Sequence, residues 1–169
     1  VDGVVVRTFA HRTLVDLAAA MPAVPVISAL TDREHPCQAV GDVLTMIEKF
    51  GDVRGRKLVF VGDGNNVCHS LMLIAAKLGI HFIASTPRGY EPDLAIFKEA
   101  AAQLKESKAI IDINHHPKEA VKHADVIYTD VWTSMGEEAE AEERRELFRD
   151  FHVNANLMAC VKGKAYFLH

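Results

Sequence analysis

The sequence predicts an α/β fold: a doubly wound parallel sheet of the Rossmann type, with helices on both faces. Short β-branched runs alternate with helical stretches almost throughout the chain, a pattern typical of parallel sheets with right-handed crossovers. The run Lys57–Val61 is apolar nearly without interruption, as expected of a strand covered on both faces. Polar segments follow several of the predicted strands, at the sheet edge where open parallel sheets bind ligands.

The predicted strands are short apolar runs bounded by turn residues. They occupy residues 4–6, 25–27, 57–61, 81–84, 109–113, 125–129 and 165–168. The helices follow from apolar periodicity and from stop and start residues: Pro22 ends the first, Pro36 lies in the first turn of the second, and Gly79 closes the third. They occupy residues 13–20, 36–50, 67–78, 92–105, 117–123 and 137–148. We expect the charged run at 137–146 to be a solvated helix face.

Composition excludes several classes of protein. The 169 residues suffice for one domain, or for one domain and a remnant of a second. The formal net charge of -4 and the lack of a Lys/Arg cluster argue against nucleic-acid binding, and no run is apolar enough to span a membrane. The N-terminus shows neither a signal peptide nor a methionine, which predicts a processed, tagged or excised chain.

The cysteines and histidines indicate neither disulfides nor a metal site. Cys37, Cys68 and Cys160 are scattered singly, without a Cys-x-x-Cys pair, so a reducing, cytoplasmic compartment is expected. The 9 histidines show no ligand spacing with an acidic partner on one helix, so no metal is predicted.

The loop after the Lys57–Val61 strand only superficially resembles a dinucleotide-binding motif. Gly62 and Gly64 are present, but Val67 stands at the third glycine position. The next strand ends in Ser85 and Thr86, with no acidic residue to hold a ribose. We therefore expect no nicotinamide cofactor.

Asparagine and aspartate side chains at this edge suit a zwitterionic ligand. Asn65 and Asn66 can each donate and accept hydrogen bonds, although they could instead merely tolerate a left-handed turn. Asp130 and Ser134 follow a later strand, so that a carboxylate and a hydroxyl can face the same crevice. Asp130 could bind an ammonium group or cap a nearby helix.

A second candidate segment, His35-Pro36-Cys37-Gln38, opens the helix at 36–50. A helix N-terminus favours anionic ligands. There His35 could polarise a carbonyl and Gln38 could bind a planar amide, or the segment could be a plain cap. Cys37 has no identifiable partner base and is expected to be inert.

In order and spacing, four segments resemble the ornithine carbamoyltransferases: His35-Pro36-Cys37-Gln38, Asp63-Gly64-Asn65-Asn66 with His69-Ser70, Thr86-Pro87-Arg88-Gly89-Tyr90-Glu91-Pro92, and Asp130-Val131-Trp132-Thr133-Ser134-Met135-Gly136. The resemblance implies transfer of the carbamoyl group from carbamoyl phosphate to the δ-amine of L-ornithine, giving citrulline and phosphate without a cofactor. It also implies a homotrimer.

The resemblance assigns roles residue by residue. His35 and Arg7 would be catalytic and would contact carbamoyl phosphate, together with Gln38. The ornithine-binding set would be Asn66, Asp130, Ser134 and the backbone of Met135, with Asn65 in support.

Two motifs of that family are not found in the 169 residues. One is a Ser-Thr-Arg-Thr-Arg phosphate-binding segment, and the other is Cys-Leu-Pro after a late histidine. The resemblance therefore implies that residues 1–34 end the carbamoyl-phosphate domain, that residues 35–169 form the ornithine domain, and that this fragment alone gives no turnover.

Three other functions stay open at this point. A non-catalytic amino-acid-binding module would keep the pocket but make no citrulline. An oxidoreductase is disfavoured by Val67 and by the missing ribose-binding acid. A related carbamoyltransferase could use another amine, such as putrescine or a modified ornithine.

Overall fold

The computed structural model describes residues 1–133 and 138–169. Its strands are β1 (Val4–Arg7), β2 (Val26–Leu30), β3 (Lys57–Val61), β4 (His81–Ser85), β5 (Ile111–Asn114), β6 (Val126–Tyr128) and β7 (Tyr166–Leu168). Its α-helices are α1 (His11–Ala20), α2 (Pro36–Phe50), α3 (Asn66–Leu78), α4 (Leu94–Ala102), α5 (Leu104–Ser107), α6 (Pro117–Ala120), α7 (Ala141–Leu147) and α8 (Ala155–Met158). Single 3₁₀ turns occupy Glu138–Glu140 and Arg149–Phe151.

The main sheet has five parallel strands in the order β5-β4-β3-β6-β7. Along the chain, the connections run outward from β3 to β4 and β5, then return to β6 and β7 on the other side of β3. The order therefore reverses between β3 and β6, and ligands of open α/β sheets bind at such a reversal. The predicted doubly wound parallel sheet is confirmed. Strands β1 and β2 form a separate parallel pair.

Buried side chains from β3 alternate between two apolar cores, one on each face of the sheet. Leu58 and Phe60 pack with α2, α3 and α4, whereas Val59 and Val61 pack with the residues around α6 and α8. This burial on both sides is the reason for the uninterrupted apolar sequence of β3. Among the described residues, no helix is both long and apolar enough to cross a membrane.

Some predicted element boundaries are wrong for local reasons. The single helix predicted at 92–105 is two helices, α4 and α5, separated at Gln103. Asp93 starts α4 because its side chain accepts a hydrogen bond from the backbone N–H of Ala95 (2.6 Å). The helix predicted at 117–123 ends as α6 at Ala120, before His123 adopts a positive φ of 58°.

The charged run at 137–146 is only partly solvated. Its glutamates at 140, 142, 143 and 146 are exposed, but Arg144 is 3% exposed. The expectation of a wholly solvated face is therefore wrong at Arg144, which turns toward the binding edge of the sheet.

Candidate active site

A cavity of about 590 Å³ lies at the carboxyl ends of the strands, at the reversal between β3 and β6. Its wall comes from the segments that follow β1, β2, β3, β6 and β7, and from the start of α2. The lining residues are Arg7, Phe9, Leu30, Thr31, Asp32, His35, Gln38, Asp63, Gly64, Asn65, Asn66, Val67, His69, Tyr128, Asp130, Val131 and His169.

Asn65 connects the loop after β3 to the loop after β6. Its side-chain oxygen caps α3 by accepting hydrogen bonds from the backbone N–H groups of Val67 and Cys68, both at 3.1 Å. Its amide nitrogen donates to Oδ2 of Asp130 at 2.8 Å. Both ends of the amide are thus engaged, so Asn65 orients Asp130 rather than simply tolerating a turn.

Asn66 joins the cavity wall to the segment after β2. Its Nδ2 donates to the carbonyl oxygen of Thr31 at 2.6 Å. Because Asn65 has an extended φ of -80° and Asn66 is the first residue of α3, the alternative that these asparagines serve a left-handed turn is wrong.

Gly64 is required by a close approach between two loops. Its N–H donates to the carbonyl oxygen of Tyr90 at 2.9 Å. A Cβ at this position would lie 2.3 Å from the backbone nitrogen of Pro92 and 2.4 Å from the carbonyl carbon of Glu91. The segment at 86–92 therefore fixes the position of the loop that carries the asparagines.

His35 precedes α2 and lines the cavity. Its backbone N–H donates to Oγ of Ser70 at 2.8 Å, which ties the start of α2 to α3. Its side chain makes no capping bond, so the plain-cap alternative does not account for it. Its Nδ1 is buried without a hydrogen-bond partner among the described residues.

The surroundings of His35 favour a neutral imidazole. Burial lowers the pKa of His35, and so does the nearby guanidinium of Arg7, while a hydrogen bond with the backbone of Ala29 and the carboxylates of Asp130 and Asp42 oppose the shift. A neutral ring can donate one hydrogen bond to a ligand without carrying a charge into the cavity.

Gln38 lies one turn into α2 and also lines the cavity. Its Nε2 donates to Oδ1 of Asp42 at 3.0 Å. Asp42 is 7% exposed, and burial raises the pKa of this carboxyl group. The neighbouring Tyr128 lines the cavity from β6. Burial raises the pKa of Tyr128 above its usual range, so its hydroxyl stays protonated.

His69 holds together three segments around the cavity. Its Nδ1 lies 2.8 Å from the carbonyl oxygen of Arg33, and its Nε2 accepts a hydrogen bond from the N–H of Asp93 at 3.0 Å. This pairing requires the neutral tautomer with its proton on Nδ1. Burial lowers the pKa of His69, in agreement with a neutral ring.

Arg144 joins the two loops that carry Asn65 and Asp130. Its guanidinium forms an ion pair with Asp63, and its Nε donates to the carbonyl oxygen of Trp132 at 2.5 Å. It also stacks over the rings of Tyr90 and Phe148, at 4.9 Å and 5.4 Å from their centroids. Sequence reasoning missed this residue because it lies within a highly charged run.

The structure brings Arg7, His35, Gln38, Asn65, Asn66 and Asp130 to one cavity. Two other predicted site residues, Ser134 and Met135, lie outside the described residues.

Sequence reasoning also missed Asp42 and Tyr128. Asp42 could have been found, because it is four residues after Gln38 on the same helix face. Among the described residues, no group of three potential ligands is placed to hold a metal ion.

Family comparisons agree with this geometry. The family model for the aspartate/ornithine carbamoyltransferase Asp/Orn binding domain matches residues 54–169, and the model for the carbamoyl-P binding domain of the same family matches residues 1–48. The chain belongs to the aspartate/ornithine carbamoyltransferase family. Both the cavity edge and the β1–β2 pair thus lie in segments characteristic of these carbamoyltransferases.

Individual members of the family are similar over the whole of this chain. The ornithine carbamoyltransferase of Pyrococcus horikoshii is 52% identical over 169 residues, which are 100% of this chain and 53% of that protein. The solved structure of the Pyrococcus furiosus ornithine carbamoyltransferase has a TM-score of 0.94 at 50% identity, covering 100% of this chain and 54% of that one. The Gloeobacter violaceus ornithine carbamoyltransferase superposes with a TM-score of 0.90 at 44% identity, covering 100% of this chain and 56% of its own. The chain thus spans about half the length of these carbamoyltransferases.

Proposed function

We propose that the protein containing this chain transfers the carbamoyl group from carbamoyl phosphate to the δ-amine of L-ornithine, giving citrulline and phosphate for arginine metabolism. One observation carries the proposal. Residues suited to a carbamoyl group and residues suited to an α-amino acid line the same cavity of about 590 Å³. The relatives named above as ornithine carbamoyltransferases support the choice of acceptor.

The ornithine end of the site consists of Asp130 and Asn66, with Ser134 and the backbone of Met135 as further proposed contacts. Asn65 occupies one side of the Asp130 carboxylate. An ionised carboxylate has about four acceptor positions, so the remaining ones can bind the α-ammonium group through charge-assisted hydrogen bonds. In this proposal Asn66 contacts the amino-acid group and Asn65 supports Asp130.

The carbamoyl end of the site consists of His35, Arg7 and Gln38. Donors aimed at a carbonyl oxygen stabilise the negative charge that develops there during acyl transfer. Arg7 supplies a permanent positive charge, and neutral His35 supplies an N–H. Gln38 contacts the planar amide of the carbamoyl group.

The reaction needs alignment of two substrates more than it needs a covalent intermediate. The neutral δ-amine of ornithine attacks the carbamoyl carbon and forms the new C–N bond. The bond from that carbon to the phosphate oxygen breaks, and phosphate leaves with the electron pair. The proton lost by the amine passes to the departing phosphate.

A comparison of amine acceptors tests this function. The assay uses the full-length protein, which is the complete gene product that contains this chain. With carbamoyl phosphate present, citrulline should form from ornithine, and putrescine and aspartate should be poor acceptors. Putrescine has both amines of ornithine but lacks the α-carboxylate. The difference in rate between the two acceptors therefore measures how much recognition of the α-carboxylate contributes. Efficient use of putrescine or of a modified ornithine would show that the acceptor is not ornithine. If no amine gave a carbamoylated product, the protein would be a binding module.

The proposed domain arrangement assigns residues 1–34 to a carbamoyl-phosphate domain and residues 35–169 to an ornithine domain. Two findings support it: β1 and β2 form a sheet of their own, and the carbamoyl-P model begins at residue 1. That model continues to residue 48, so the position of the domain boundary must be tested within α2.

We also propose a homotrimer in the cytoplasm on the basis of the family resemblance. Light scattering of the full-length protein tests the trimer.

A further inference from the structure

Asp42 is a buried carboxylate that lies directly behind two residues of the cavity wall, Gln38 and Tyr128. It lies one turn after Gln38 on α2, and its Oδ1 accepts the hydrogen bond from Gln38 Nε2 at 3.0 Å. Gln38 lines the cavity, whereas Asp42 is 7% exposed and does not belong to the described residues of the cavity wall. Any influence of Asp42 on a ligand therefore passes through Gln38 or through Tyr128, which lines the cavity and whose hydroxyl also interacts with the Asp42 carboxylate.

The chemistry of this pair determines which way the Gln38 amide faces. An ionised carboxylate only accepts hydrogen bonds, so the amide must turn its NH2 group toward Asp42. The side-chain oxygen Oε1 then remains for the cavity. Gln38 thus offers an acceptor to the ligand, and an acceptor matches a ligand that carries an N–H.

We propose that Asp42 is a positioning residue that orients the Gln38 amide, so that the site selects an acyl phosphate bearing an NH2 group. Carbamoyl phosphate has this group, whereas acetyl phosphate has a methyl group in the same place. The inference rests on the proposed function and goes beyond it, because it assigns the choice of acyl donor to a side chain outside the cavity.

The cost of burying Asp42 supports a role beyond packing. Its second oxygen, Oδ2, forms no well-aligned hydrogen bond in the described part of the chain, although the Tyr128 hydroxyl lies beside the carboxylate. A buried polar atom left without a partner destabilises a fold, and an apolar side chain at this position would avoid that cost. Burial also raises the pKa of Asp42, because desolvation disfavours the charged form, while the hydrogen bonds with Gln38 and Tyr128 oppose the shift.

The test is a comparison of two acyl phosphates in the full-length protein with Asp42→Asn. Asparagine keeps the shape but can present either a donor or an acceptor to Gln38, so the orientation is no longer imposed. We expect kcat/KM for carbamoyl phosphate to fall about 10-fold, the equivalent of one hydrogen bond, while the inhibition constant of acetyl phosphate stays unchanged. Glu48→Gln, an exposed position on the same helix, is the matched control and should alter neither.

A double-mutant cycle separates positioning from general support of the fold. Gln38→Met should also lose affinity for carbamoyl phosphate and keep that for acetyl phosphate, because methionine offers no strong acceptor. In the Gln38→Met background, Asp42→Asn should have no further effect on the ratio between the two phosphates.

Several outcomes would overturn the inference. They are equal weakening of both phosphates by Asp42→Asn, no weakening of either, or an undiminished effect in the Gln38→Met background. If the Asp42→Asn protein does not fold, the Gln38→Met protein alone decides. Equal weakening of carbamoyl phosphate and acetyl phosphate binding in that variant would show that Gln38 is not the acceptor that selects the NH2 group. Failure of the proposed function itself is distinct, because the unsubstituted protein would then form no citrulline.

Discussion

Individual side chains around the cavity mostly serve two partners at once. Asn65 caps α3 and also holds Asp130, and His69 pairs with Arg33 on one side and Asp93 on the other. The sequence could place Asn65 and Asp130 at the right edge of the sheet. It could not divide the roles of Asn65 and Asn66, because adjacent asparagines offer the same chemical groups and only the backbone decides which one becomes the cap.

Gly64 gives the sharpest prediction for a single residue. Gly64→Ala should lower the free energy of unfolding by about 2–3 kcal/mol, in the upper range for overpacking, because the new Cβ would meet the backbone at Glu91 and Pro92. The midpoint of thermal unfolding measures the change.

The control for that substitution is Gly41→Ala in the interior of α2. A Cβ there meets nothing within 4 Å, and alanine favours a helix over glycine by roughly 0.5–1 kcal/mol. Gly41→Ala should therefore leave stability unchanged or raise it. Equal effects at the two positions would refute the close approach at Gly64.

At the scale of elements, two loops from neighbouring strands are joined by a helix that contacts both. Arg144 on α7 pairs with Asp63 after β3 and with the backbone of Trp132 after β6. Apolar periodicity and caps predicted where most strands and helices lie, since these depend on local sequence. They could not reveal the burial of Arg144, because a charged run looks solvated until a partner from elsewhere in the chain is known.

Arg144→Met should destabilise the protein by about 3 kcal/mol, because it removes the cationic partner of the part-buried Asp63. Hydrogen exchange at residues 63–66 and 130–133 should quicken as the two loops separate. Arg145→Met, an exposed neighbour, should change neither stability nor exchange. Unaltered exchange in the Arg144→Met protein would show that Arg144 does not hold the loops together.

For the whole molecule, the topology explains why residues distant in sequence form one site. The strand order reverses between β3 and β6, so Asn66 and Asp130 come together at one edge. Alternation of strands and helices predicted this arrangement before any coordinates, together with the position of His35 and Gln38 at the start of α2. The contribution of Arg7 followed from family resemblance alone, because nothing in the local sequence links β1 to the main sheet.

The proposed cavity has an amino-acid end and a carbamoyl end, and one substitution distinguishes them. Asp130→Asn keeps the hydrogen-bonding shape but removes the charge that would hold the α-ammonium group. In steady-state assays of the full-length protein, the KM for ornithine should rise about 10- to 100-fold, as expected for a charge-assisted hydrogen bond of roughly 1.5–3 kcal/mol. The KM for carbamoyl phosphate should not change. Ornithine saturation identical to that of the unsubstituted protein would contradict the assignment of this cavity to the amino acid.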